Sequence, residues 1–123
     1  MLGIKQAVNM TRESVIAQHV RMADTYLSRL FGLMGKAGLP ESEGLWIVPC
    51  RDIHSCFMRF EFDAIFVDKQ QQVLHLVERM RPWRVSKMVW GGHAVLELPA
   101  GAVAASGTQI GDLIELRNSE NEN

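Results

Sequence analysis

The 123-residue sequence predicts a mostly β fold of the α+β kind: a small β-barrel or rolled antiparallel sheet with one main helix and a short second helical turn. Three observations predict it. Short apolar runs rich in β-branched and aromatic residues recur along the chain, punctuated by Gly, Pro, Asn and Asp. The apolar run ending at Val67 is followed by Asp68-Lys69-Gln70-Gln71-Gln72 and then by Val73 to Val77, which reads as strand, turn and strand. Only one stretch, Asp24 to Met34, repeats its apolar residues at the helical period.

In order, Ile4 to Asn9 and Ser14 to Val20 are extended segments around the polar turn Met10-Thr11-Arg12-Glu13. The second alternates, with Val15, Ala17 and His19 on one side and Ile16, Gln18 and Val20 on the other. Asp24 or Thr25 caps the main helix, which Gly35 and Gly38-Leu39-Pro40 stop. Leu45 to Val48 is a short strand ended by Pro49. A hairpin spans Phe62–Val77 and turns at Asp68–Gln72, with no helix anywhere within residues 57–78. His93 to Leu98 is the next strand, Ala102 to Ser106 the short helical segment ended by Gly107, and Leu113 to Leu116 the last strand after a Gly-Asp turn. Residues 1–117 form one domain, and residues 118–123 are a polar, disordered tail that frays together with Arg117.

Hydrophobic residues make up 47% of the chain and charged ones 22%, with a net charge of −1, the composition of an ordinary soluble domain. That balance argues against wholesale binding to nucleic acid or to a membrane surface. No stretch approaches the ~20 apolar residues that span a bilayer, and the N-terminal residues lack a signal pattern. The reading is a cytoplasmic protein, monomeric or weakly dimeric, with Cys50 and Cys56 as reduced thiols.

The motifs Gly32-Leu33-Met34, LPESEGLWIVPC at Leu39–Cys50, IHSCFMRF at Ile53–Phe60, Asp63-x-Ile65-Phe66-Val67-Asp68 and AVLELPAG at Ala94–Gly101, with Gly107-x-x-Ile110-Gly111-Asp112 following, resemble domain-of-unknown-function family 192. The resemblance covers roughly residues 24 to 116. It implies a compact, mostly β domain with a helix, in its signal-less cytoplasmic form, and no established reaction. Glu61 stands where that pattern often has proline, and Cys56 where an aromatic residue is common, so Cys56 is a poor choice for an essential ligand or nucleophile.

Four sets of residues could carry chemistry. Cys50, His54 and Cys56 could join His75 or His93 around zinc, but the C-x3-H-x-C spacing lacks a paired knuckle. Buried thiols packing as small hydrophobes explain the cysteines better, and no metal or cofactor is expected. Cys56 as a nucleophile would need a lowered thiol pKa and access to substrate, and a strand lined by Phe57, Met58 and Phe60 supplies neither. The balance is against catalysis.

The third set is His54, Arg59, Asp63 and Glu97, with Glu78 as a further member, charges embedded in apolar strands. Arg59 meets Asp63 if the strand bulges near Phe60-Glu61. The set is either a structural ion-pair network closing one end of the barrel or a polar pocket for a small ligand. The fourth is the loop carrying Arg79, Arg81, Trp83, Arg84, Lys87 and Trp90, which suits a protein partner through its aromatic anchors. Single-stranded nucleic acid would use the same side chains, but it needs more basic positions than this acidic chain provides. Taken together, these residues read as a non-catalytic module binding a small ligand or a protein.

Overall fold

A computed structural model of the protein describes residues 5–23, 39–50, 60–81 and 86–118. Among them, seven strands form one curled sheet, a half-barrel. They are β1 (Lys5–Asn9), β2 (Ser14–Ala23), β3 (Glu43–Ile47), β4 (Phe62–Val67), β5 (Val73–Met80), β6 (Ala94–Pro99) and β7 (Ile114–Asn118). One short helix, α1 (Ala102–Ser106), lies between β6 and β7. The spatial order is β5-β4-β6-β3-β2-β1-β7. All neighbours are antiparallel except β2 with β3, which run parallel. Parallel partners need a long crossover between them, so β2 and β3 are not joined by a hairpin.

The central strands explain the sequence's longest apolar run. All six residues of β4 are buried, because both faces of the sheet are covered there. On the inner face, Ile65, Val67, Leu96, Leu98 and Trp46 pack with Val20, Ile16, Ile114 and Val103 of α1. On the outer face, Phe62, Ala64, Phe66 and Val95 pack with Met80 and Val89. Successive side chains of β4 and β6 therefore serve two separate cores.

The β4–β5 hairpin forms where the sequence predicts it, and none of residues 60–78 is helical. Asp68 builds its turn: the side chain accepts the backbone N–H groups of Gln70 and Gln72, both at 2.9 Å, while Gln71 takes a left-handed φ of 65°. The predicted main helix at 24–34 and the strand through residues 51–59 lie outside the described residues.

Two expectations are corrected. Strict alternation in β2 fails, since Ile16 and Ala17 are both buried and Gln18 and His19 both exposed. The cause is irregular pairing with β1, where Lys5 faces Val20 but Ala7 faces Ala17 and Val8 faces Val15. Arg117 and Asn118 do not fray; they extend β7 opposite Gln6 and Lys5 of β1.

The two edge strands nearly meet. Val73 N–H donates to the Asp112 carbonyl, Gly111 N–H to that of Val73, and Ile114 N–H to that of Gln71. A single antiparallel bridge, Gln72 with Leu113, thus joins the start of β5 to the start of β7 and draws one rim of the half-barrel shut.

Gly44 shows how tightly the inner face is packed. A Cβ there would stand 3.1 Å from Leu98 Cδ2, 3.2 Å from Leu96 Cδ1 and 3.3 Å from the Glu97 carbonyl oxygen. Gly44→Ala is expected to destabilise the domain by roughly 1–3 kcal/mol, the usual range for an overpacked core. Urea unfolding of the variant should show a lower midpoint at unchanged slope.

Candidate functional site

Two carboxyl groups sit inside the doubly covered part of the sheet. Their positions follow from register. Asp63 faces Leu98 across the β4–β6 pair and Glu97 faces Ala64. Leu98 belongs to the inner core and Ala64 to the outer one, so the two carboxyl groups point to opposite faces. The structure does not bring Asp63 and Glu97 together, and the single network read from the sequence is divided by the sheet itself.

Asp63 is 0% exposed and fully engaged. Its Oδ1 accepts the backbone N–H of Arg79 at 2.8 Å, and its Oδ2 accepts those of Gly101 at 3.1 Å and Val103 at 2.9 Å. Two of these donors open α1, and the third lies in β5. The pairing of this hairpin is irregular between Phe66 and Val67, and again where β5 runs from Val77 to Met80 opposite Ala64 and Phe62. There Arg79 takes a positive φ of 53°, which turns its N–H toward Asp63. Its guanidinium lies over Gly101, where a Cβ would come within 3.4 Å of Nη2, and pairs at 3.8 Å with Glu61. Asp63 is a fastener for backbone, with the partners of a turn and a bulge.

Glu97 is the opposite case. The residue is 4% exposed and lies on the outer face. Burial pushes its pKa up to about 8, so the group is largely protonated at neutral pH. Leu45 and Ala64 flank it in register on β3 and β4, and Val95 stands beside it on its own strand. Farther along the row, Arg21 of β2 faces Leu45 and is exposed.

His75, on the same face of β5, packs its ring on Phe66 with centroids 5.6 Å apart. Burial and the positive charge of Lys87 lower its pKa. His54 and Arg59 lie outside the described residues, as do Cys56, Trp83 and Arg84. Cys50 is half-buried, and its backbone N–H donates to the His93 carbonyl at 2.8 Å. Glu78 is exposed on β5. In the basic loop, Arg79 is committed as above, Arg81 and Lys87 are exposed, and Trp90 stands 81% exposed beside the exposed Met88.

A second polar cluster escaped the sequence reading. Asp112, buried at the start of the last strand, accepts hydrogen bonds from Asn9 Nδ2 at 2.9 Å, Arg12 Nε at 3.0 Å and Gln109 N–H at 2.9 Å. Asn9 also donates to Thr108, and Arg12 to Gln109. Burial alone would raise the Asp112 pKa, but these three donors and the charge of Arg12 together lower it. The cluster therefore contributes stability above the ordinary carboxylate pKa, and that contribution is lost as pH falls through the lowered folded value. The signal available in the sequence was an asparagine closing an apolar strand and the Gly111-Asp112 turn.

Beside α1, a cleft of about 380 Å³ is lined by Val15, Ile16, Glu41, Ser42, the segment from Pro99 to Ala102, and Ala105 and Ser106. Its walls are small residues, polar and apolar in similar measure, and its one charged group is Glu41. Among the described residues no three His, Cys, Asp or Glu side chains gather to hold a metal ion, and no helix is long and apolar enough to cross a membrane.

The model of one family, DUF192, described as "Uncharacterized ACR, COG1430", matches residues 7–116. A UPF0127 protein of Thermococcus sibiricus is 32% identical over 113 residues, covering 88% of this chain and 72% of that one. A UPF0127 protein of Pyrococcus furiosus is 28% identical, covering 88% and 95%. Among solved structures, a protein of unknown function from Novosphingobium aromaticivorans superposes with a TM-score of 0.80 at 24% identity, over 90% of this chain and 83% of that one. A putative transcription regulator from Sinorhizobium meliloti does so with a TM-score of 0.75 at 20% identity, over 94% and 96%. Both share the fold.

Proposed function

The chain belongs to the uncharacterised family DUF192, and from that premise we propose that it is a non-catalytic binding module that takes a small ligand at Glu97, on the outer face of β3, β6 and β4. One observation carries the reading: a carboxyl group 4% exposed, placed between the apolar neighbours Leu45 and Ala64 on the face that carries the outer core. Convergence of a polar group and apolar walls is the usual composition of a small-molecule site. Asp63 has no part in it, because three backbone donors already occupy its oxygens.

The test is a thermal-shift screen of uncharged, cationic and anionic small molecules against the protein and Glu97→Gln. Compounds that stabilise the protein and fail to stabilise the variant are the expected result. A screen in which every hit shifts both proteins equally would overturn the assignment.

A second reading rests on Trp90, whose 81% exposure beside Met88 suits a protein partner. Such binding should fall with Trp90→Ala and respond little to salt. Single-stranded nucleic acid held by the same loop would weaken steeply with salt, and the pairing of Arg79 with Glu61 leaves it fewer cations.

A further inference from the structure

We propose that the turn from Val89 to Gly92 is a docking tip for a lipid surface, which sets Trp90 and Met88 into the interface of an anionic bilayer while Lys87 and Lys69 meet its headgroups. This role is independent of the small-ligand reading at Glu97. The turn is built to hold an indole outward. Gly92 N–H donates to the Val89 carbonyl at 3.0 Å, and Gly91 takes a φ of 81°, the left-handed value required at the third position of a type II turn. Trp90 therefore stands at the apex, 81% exposed, with Met88 51% exposed beside it. Both ends of the turn are pinned. Val89 is buried in the outer core; just past the turn, His93 N–H donates to the Val67 carbonyl at 2.9 Å and the His93 carbonyl accepts the Cys50 N–H. Gly91 lies against the start of β5, where an added Cβ would stand 3.8 Å from Leu74 Cδ1.

The surroundings of the tip lean positive, although the whole chain carries a net charge of −1. From Arg79 to His93 the sequence has no acidic residue. Lys87 is exposed, and its charge reaches His75 of β5. Lys69 is exposed in the β4–β5 turn, which leaves the sheet at Val67, the residue that holds His93. Asp68, the acid of that turn, is folded onto the N–H groups of Gln70 and Gln72. Glu61 and Glu78 lie toward the opposite end of the hairpin, near Met80. Size then selects the partner. A large aromatic side chain carries roughly 150–250 Å², so Trp90 and Met88 fall well short of the ~800 Å² that each partner gives to an ordinary specific protein interface. A bilayer asks for less, because binding there scales with the apolar area inserted plus the attraction of cations to anionic headgroups. Tryptophan suits that boundary, with an apolar body for the lipid and an indole N–H for the wet headgroups.

Sedimentation with phosphatidylcholine vesicles, with and without phosphatidylglycerol, tests the role. The protein is expected to bind the anionic vesicles and not the neutral ones, and to be released by added salt. Trp90→Ala should weaken the binding by about tenfold or more, and Lys69→Glu or Lys87→Glu by about fivefold or more each. All three variants should melt where the unaltered protein does, since the side chains are exposed. If the protein stays in solution with both kinds of vesicle, or if Trp90→Ala binds as well as the unaltered protein, the bilayer role fails. A protein that binds no vesicle but dimerises, with Trp90→Ala monomeric, would overturn it as well and give the tip to a second copy of the chain.

Discussion

Asp63→Asn is expected to destabilise the domain by roughly 3 kcal/mol, lowering its melting midpoint by roughly 10 °C or more. The amide keeps one acceptor oxygen but turns an NH2 group toward a backbone N–H that had been donating. Either Arg79 or the Gly101–Val103 pair of donors then loses its acceptor at a side chain that is 0% exposed. Asp63→Ala removes all three bonds and should be worse. Thermal and urea unfolding measure the effect, and hydrogen exchange locates it: the amides of Arg79, Gly101 and Val103 should lose protection together. An unchanged melting midpoint would sink the fastener role.

The second large effect runs the other way and depends on pH. The Glu97 pKa stands near 8 in the folded protein against 4.5 for the unperturbed group. The folded state therefore binds the proton more tightly, and between those two values stability falls as pH rises. The contribution is fully present below the unfolded pKa and lost once pH passes the folded one. At 1.36 kcal/mol per pKa unit the whole span is worth about 5 kcal/mol. Glu97→Gln removes the titrating proton and keeps the shape. Urea denaturation at pH 6 and pH 9 should show the protein losing several kcal/mol and the variant losing far less, so that the variant is the more stable one at pH 9. Parallel pH profiles for the two proteins would mean that the carboxyl is ionised and compensated.

Much of the architecture was legible because it is written in side-chain pattern. The β4–β5 hairpin follows from two apolar runs around five polar residues, and Asp68 does in the turn what aspartate does in turns. The short α1 follows from alanines between two glycines. What was illegible depends on register. Nothing in the order of letters says that β2 lies parallel to β3, or that its pairing with β1 slips at Ile16. The same ignorance produced the single polar network. Asp63 and Glu97 look alike as charges inside apolar runs, and only the pairing of Asp63 with Leu98 and Glu97 with Ala64 sends them to opposite sides. Asp63 was also assigned a side-chain partner because sequences display side chains; its real partners are main-chain groups, which every residue carries and no letter shows.

The bridge between Gln72 and Leu113, with β7 paired to β1, sets when this molecule can become itself on a ribosome. β1 is made first, and its outer neighbour β7 is made last. During most of translation β1 therefore presents an open edge, and the Asp68–Gln72 turn has nothing to dock against. Chains stalled before Ile114 would carry two unsatisfied strand edges at once, the kind of surface on which nascent polypeptides join each other. Closure of this rim is thus a late event, reached only when β7 has emerged.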